Sequence, residues 1–239
     1  MRLLKNIYQV GGPSISHFFD AAAYLLKMKE GYVLIDCGTP EGYEIIKNNI
    51  EKLGVNLHEI KYILGTHGHY DHIGAAHLWN QEFGCKLYLH EADCKQVEQG
   101  DSDKTSAALL YGTKSVPYKV DGIIQEGDNW QGDGFLIEAF HTPGHTKGSV
   151  CFDITLDEYH LLVAGDAVWG GYSEKIGSDE KAWIQSLEKI TSRHFDFYTF
   201  GHVNPQLIAD ADARLKEAKM AFGNYYNPWF KTFFETYHY

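Results

Sequence analysis

Cysteine is sparse and unpatterned in this chain: Cys37, Cys85, Cys94 and Cys151 stand far apart, with no C-x-x-C pair. That spacing argues against a disulfide framework and against a thiolate zinc site, and buried, reduced thiols are expected instead. Long apolar runs are missing as well. No stretch approaches the roughly 18 apolar residues of a bilayer span. Residues 1–10 carry Arg2 and Lys5 and lack the unbroken apolar stretch and small-residue cleavage site of an export signal. A cytoplasmic protein with no membrane partner is therefore expected. Positive charge is also short, since 21 Lys and Arg face 32 Asp and Glu for a formal net charge of -11. A surface of that sign repels a phosphate backbone, so no nucleic-acid partner is expected, and a nuclease would need a focused basic patch.

What is present is 239 residues of 44% hydrophobic content, enough for one domain with a sizeable core or for two closely packed halves. Short β-rich runs at 3–10, 22–28 and 32–36, separated by glycine-containing turns, read as a meander of strands. Thr39 and Pro40 have the chemistry of an N-cap and first helical residue. The helix they open would bury Ile45, Ile46, Ile50 and Leu53 and close at Gly54. Further strands are expected at 61–65, 86–89, 122–124, 135–142, 149–154, 160–164 and 195–200. Helices are expected at 73–83, 91–99, 180–192 and 205–222, and the polar, weakly periodic stretch 100–117 reads as a surface excursion. Strands followed by helices, twice over, suggest two sheet-plus-helix halves packed sheet to sheet.

Histidine and aspartate recur at ligand spacing just after four of these strands. His67 and His69 lie two apart in Thr66-His67-Gly68-His69-Tyr70-Asp71-His72, so an extended backbone sends both rings to the same side, where they can share one ion. Asp71 and His72 follow as the chain turns and are aimed at a neighbouring ion. Completing two sites takes more imidazoles and a bridging carboxylate, which His145, Asp166 and His202 supply. Such a cluster with an open position lowers the pKa of bound water to about 7 and makes hydroxide available at neutral pH.

With those residues in view, the chain resembles the metallo-β-lactamase superfamily. Five motifs carry the likeness: a strand ending in Asp36, H-x-H-x-D-H at 67–72, T-P-G-H-T-x-G-S at 142–149, Gly165-Asp166, and Gly201-His202. The resemblance implies an α+β fold, a four-layer αβ/βα sandwich spanning 1–239 as a single domain, with a dinuclear site at one edge. It implies that His67, His69 and His145 hold the first metal, that Asp71, His72 and His202 hold the second, and that Asp166 bridges. Two divalent ions are expected, zinc first, with iron or manganese as the other candidates. A bridging hydroxide would attack a carbonyl or phosphoryl centre while Asp71 orients it. Asp36 would receive a ligand imidazole N–H.

The T-P-G-H-T-x-G-S form resembles glyoxalase II-like thioesterases, lactonases and persulfide dioxygenases more than β-lactamases, which implies hydrolysis of a small-molecule ester, thioester or lactone. The alternative from another reaction class is a mononuclear iron persulfide dioxygenase. A β-lactamase, a phosphodiesterase and a metal-free binding module are minor alternatives. Lys175 sits nine residues after Asp166, as a lysine does in glyoxalase II proteins. The tyrosine that lactonases place three residues after that aspartate is Trp169 here. Trp169, Tyr172, Lys175 and His17 are the candidate substrate residues, whereas His90, His141 and His160 are expected outside the site. The aromatic segment 223–239, with Tyr225, Trp229, Phe230 and Phe233 in helical rhythm, is expected to pack on its own domain, form a homodimer contact or wall the pocket.

Overall fold

The computed structural model describes residues 1–202 and 204–222, so the expectation for the aromatic segment lies outside the described residues. The chain runs β1 (Arg2–Leu4), β2 (Ile7–Gly11), β3 (Ala23–Lys27), β4 (Tyr32–Ile35), α1 (Tyr43–Glu51), β5 (Ile60–Leu64), α2 (Tyr70–Ile73), α3 (Ala76–Phe83), β6 (Lys86–Leu89), α4 (Glu91–Glu98), α5 (Ala107–Tyr111) and β7 (Gly122–Ile123). It continues through β8 (Asn129–Gln131), β9 (Leu136–His141), β10 (Val150–Leu156), β11 (Tyr159–Val163), α6 (Glu180–Thr191), β12 (Phe197–Thr199), β13 (Ile208–Ala209) and α7 (Ala211–Ala221). Strands β1 to β7 form one sheet in sequence order. The other has the order β13-β12-β11-β10-β9-β8.

Alternation along the strands sorts side chains into three apolar layers. In β3 and β4, Tyr24, Leu26, Val33 and Ile35 face the second sheet, where they meet Ile137, Phe152, Ile154 and Val163. Leu25 and Leu34 point the other way, into a cluster with Ile46, Ile50 and Trp79 from the helices. On the far side, Cys151 and Leu162 turn outward against Trp183, Leu187 and Leu215. Residues alternate between faces because the side-chain period of a strand is two, and both faces of each sheet are covered. The result is the expected order of helix, sheet, sheet, helix. No described helix is long and apolar enough to cross a membrane.

Several local expectations are corrected. Helix α1 begins at Tyr43 with Gly42 as its N-cap; the Thr39 hydroxyl donates to Asp20 at 2.5 Å and accepts the Gly42 amide at 3.3 Å, so it closes the turn that precedes the helix. Its buried residues are Tyr43, Ile46 and Ile50, while Ile45 and Leu53 are exposed. The helix expected at 73–83 is two helices, α2 and α3, broken at Gly74 and Ala75. The excursion at 100–117 contains α5. Residues 205–210 are not helical; they include β13, so α7 starts only at Ala211. Strand β8 has no counterpart among the expected elements, and the run at 3–10 is two strands, with Asn6 at φ 64 between them.

All four cysteines are free thiols, and burial pushes those of Cys85 and Cys151 up to about 12, which leaves them unreactive near neutrality. The ring of His90 stacks on that of His141, centroids 3.8 Å apart and planes within 9°. His90 Nδ1 also accepts from the Ala92 amide to cap α4. Burial, reinforced by the neighbouring His141 ring, lowers the His90 pKa. The folded chain therefore binds fewer protons there than the unfolded chain does. Stability is full above the ordinary imidazole range near 6.5 and falls as pH drops below it. His90→Asn keeps a capping acceptor but removes the charge. Its urea midpoint is expected to drop less between about pH 7.5 and 5.5 than that of the wild type; equal drops would sink the assignment.

Candidate metal centre

The candidate ligands all lie past the C-terminal ends of strands at one edge of the sandwich. Asp36 follows β4, the 67–72 stretch follows β5, His145 follows β9, Asp166 follows β11 and His202 follows β12. Main-chain hydrogen bonds tie the two sheets at this edge. The Val150 amide donates to the Thr66 carbonyl at 2.8 Å, and the Ala22 amide to Gly201 at 2.7 Å. Gly201 has no alternative there, because a β-carbon would overlap the Asp166 carboxylate and crowd the His72 ring.

Three ring nitrogens meet at the first position. His67 Nε2 and His145 Nε2 each lie 2.9 Å from His69 Nδ1. Next to it, Asp71 Oδ2 lies 3.6 Å from His72 Nε2 and 3.4 Å from His202 Nε2. Asp166 touches both sets, with Oδ1 3.3 Å from His72 and Oδ2 3.4 Å from His145 and 3.1 Å from His202. Ligand atoms of His67, His69 and His145 lie within 4.8 Å of one another, as do those of His67, His72 and Asp166 and those of Asp71, His72 and His202. All are buried except His202, whose side chain is 39% exposed. The seven residues read from the sequence are thus one cluster, with its open side at His202.

The donors suit divalent cations. A neutral imidazole presents one lone pair, and three rings converging at hydrogen-bond distance cannot satisfy one another with protons alone. His72 donates its Nδ1–H to Asp36, 2.8 Å away, which leaves its Nε2 facing the Asp166 carboxylate at 3.3 Å. Those two atoms, His72 Nε2 and Asp166 Oδ1, are buried with no hydrogen-bond partner. A proton or a metal is needed between them. Burial and the adjacent rings keep His67 and His69 well below the usual imidazole range, hence neutral and ready to ligate. Burial opposes ionisation of Asp166, but the rings of His202, His72 and His145 hold its carboxyl well below the ordinary range.

Outer contacts fix the rings. Asp36 takes a left-handed backbone, φ 56, a region aspartate tolerates better than most residues. From there it accepts from the Thr66 amide, the Thr66 hydroxyl and His72, each at 2.8 Å. His145 Nδ1–H donates to the Gly171 carbonyl at 2.7 Å. Asp93 on α4 belongs to none of the sequence motifs. It is buried and accepts from the Gly68 amide (2.8 Å), the Thr146 hydroxyl (2.7 Å) and the Gly148 amide (2.9 Å), clamping the two ligand loops together. One aspartate on a short polar helix carries no sequence signal for that role. Tyr111, equally unmarked in the sequence, sets its ring edge-on to Phe19 and tilted against Tyr70 of α2.

None of the four candidate substrate residues belongs to this cluster. Lys175 lines a cavity of about 380 Å³ together with Asp93, Lys147 and Ile176. Trp169 and Tyr172 pack against the Trp183 layer, and Trp169 also borders a separate groove with Tyr198 and Phe200. His17 is half-buried, with Phe18 tilted against its ring and Phe19 edge-on to it, and Phe19 in turn meets Tyr111. His90, His141 and His160 stand outside the cluster, His160 paired with Asp153 at 3.1 Å.

A sequence profile described as the metallo-beta-lactamase superfamily matches residues 18–202. A probable metallo-hydrolase of Methanocaldococcus jannaschii is 29% identical over 151 residues, 63% of this chain and 68% of that protein. A hydroxyacylglutathione hydrolase of Pelagibacter ubique is 28% identical over 179 residues, 72% of this chain but 64% of that protein, just under two thirds of its length. Among solved structures, a metallo-beta-lactamase of Elizabethkingia meningoseptica superposes with a TM-score of 0.74 at 29% identity, covering 94% of this chain and 90% of that one. A class B3 di-zinc metallo-beta-lactamase from an Alaskan soil metagenome gives 0.75 at 27% identity, covering 95% and 94%.

Asp93→Ala leaves two buried amides without an acceptor, a cost of about 3 kcal/mol. A urea titration is expected to show that loss together with weaker metal retention; an unchanged midpoint would refute the clamp. Asp36→Ala is expected to lower metal affinity by about 10- to 100-fold, as removal of a ligand's hydrogen-bond partner generally does, read by competition with a chromophoric chelator.

Proposed function

From the premise that the chain belongs to the metallo-beta-lactamase superfamily and is a metal-dependent hydrolase, we propose that it cleaves a small-molecule ester, thioester or lactone at a dinuclear centre. The observation that carries this reading is Asp166, which touches ligands of both sets at once. His67, His69 and His145 would hold one ion, Asp71, His72 and His202 the other, and Asp166 would lie between them. Divalent ions, zinc by expectation, supply Lewis acidity for a carbonyl oxygen and a source of hydroxide near neutral pH. The di-zinc neighbour among the solved structures supports that stoichiometry.

The chain's own groups do the rest. Asp36 and the Gly171 carbonyl hold the His72 and His145 tautomers, each ring keeping its other nitrogen for a ligand bond. Asp71 orients the attacking group, lying beside His202 at the open side. Substrate enters there, with Lys175, Trp169, Tyr172 and His17 as the candidate residues that select it. The name of the Pelagibacter ubique relative supports a thioester, as does the position of Lys175 nine residues past Asp166. β-Lactam hydrolysis is the second reading, favoured by the two solved structures above 25% identity.

A panel of thioester, lactone, β-lactam and phosphodiester substrates, assayed on zinc, manganese and iron forms, is expected to show turnover of a thioester or lactone with two ions per chain. One iron per chain with oxygen consumption would replace the hydrolase by a dioxygenase. Asp71→Asn is expected to lower turnover at least about 100-fold with folding intact; near wild-type turnover in the metal-loaded variant would refute the role of Asp71.

A further inference from the structure

Helix α6 buries one stripe, Trp183, Ser186, Leu187 and Ile190, at the three- and four-residue spacing of a helix face packed on a core. Leu187 and Ile190 join Phe140, Cys151 and Leu162 of the second sheet in one apolar cluster. Packing of that kind needs no polar atom, yet two members of the stripe carry one. The Ser186 hydroxyl donates to the Pro143 carbonyl at 2.6 Å, and the Trp183 indole N–H donates to the Ala167 carbonyl at 2.7 Å. Pro143 stands two residues before His145, and Ala167 directly follows Asp166. Each polar group therefore ends on a turn that carries one of the candidate ligands.

Residues just ahead of the helix complete the attachment. The Asp179 amide donates to the Gly144 carbonyl and the Ser178 hydroxyl to the His145 carbonyl, both at 2.8 Å. Three successive carbonyls of the ligand turn, Pro143 to His145, are thus all bonded by residues 178–186. The Trp183 ring also stands edge-on to the His145 ring, centroids 5.4 Å apart and planes at 68°. Gly144 is pressed against the base of the same side chain, where a β-carbon would overlap Cα and Cβ of Trp183. One fully buried indole touches both turns, and between those turns His145 Nε2 lies 3.4 Å from Asp166 Oδ2.

We propose that Trp183 and Ser186 are positioning residues for the metal centre, anchoring the His145 turn and the Asp166 turn to one helix and so setting how those two ligands stand relative to each other. The proposal rests on the reading of His145 and Asp166 as ligands and goes beyond it, since it assigns their mutual placement to a helix that supplies no ligand itself. A buried carbonyl that loses its donor is left unsatisfied, so each turn resists movement away from α6. Packing alone would be served equally by phenylalanine and alanine at these two positions; the N–H and the hydroxyl are the atoms that reach the ligand turns.

Two variants test this. Trp183→Phe keeps a ring against His145 and removes the N–H, and Ser186→Ala removes a single oxygen. Zinc is titrated into the chelated full-length chain against a chromophoric competitor, and cobalt absorption bands report the ligand geometry. Each variant is expected to bind metal about 10-fold more weakly, the low end of what losing an outer partner of a ligand costs, with displaced cobalt bands, kcat lowered and KM little changed. Leu187→Ala loosens the same stripe but removes neither hydrogen bond, and is expected to lower the thermal midpoint while the cobalt bands stay in place. Wild-type affinity and bands in either polar variant overturn the proposal. An equal displacement of the bands in Leu187→Ala assigns the effect to helix packing and also overturns it. If Trp183→Phe does not fold, Ser186→Ala decides on the same readings. A wild-type chain that takes up no divalent ion overturns the underlying reading of the ligands, and the proposal with it; the wild-type titration reads that case separately from failure of a variant.

Discussion

Seven side chains that water would solvate strongly are gathered where water barely reaches, and the fold can hold them only if something else answers their charge and lone pairs. Three rings meet at hydrogen-bond distance, beside two carboxylates that touch further rings. Desolvating such groups without partners costs several kcal/mol each. Cations at the convergence offset that cost. The surrounding structure serves to keep the lone pairs aimed inward until they arrive.

That service falls to buried aspartates that are not themselves in the ligand set. Asp36 closes the first loop on itself by joining Thr66 to His72. Asp93 joins the first loop to the second. Asp20 does the same on the outer flank, accepting from both the amide and the hydroxyl of Thr39. Burial pushes all three carboxyls up. Each nevertheless accepts several hydrogen bonds, which is how a buried carboxylate is retained.

The sequence was most legible where chemistry and periodicity coincided. Strands ending in ligands could be read because a short β-branched or apolar run followed by glycine and histidine has few other meanings, and the layers followed from alternation at residues such as Leu25, Leu34 and Leu162. Legibility failed where distant partners decided. Thr39 has the chemistry of a cap, but its hydroxyl closes a turn onto the Gly42 amide while Asp20, nineteen residues earlier, fixes it in place, and the helix starts only after that turn. Gly74 and Ala75 separate α2 from α3, although the apolar residues of 73–83 alone read as a single helix. Residues 205–210 are drawn into β13 by pairing with β12, a contact invisible to local propensity. Asp93 left no signal, since what makes it matter is the pair of loops brought up to it by the fold.

Each half of the sandwich contributes to both ligand sets. His67, His69, Asp71 and His72 follow the first sheet's strands, and His145, Asp166 and His202 follow the second's. On the proposed ligand assignment, neither set can therefore be completed by a half-made chain. During synthesis from the N-terminus, a coordination shell that needs His202 closes only after that residue has emerged and β12 has paired with β11. On that assignment, metal loading would be a late event that rivets two assembled halves, so that pulling the sheets apart and releasing metal would become one and the same transition.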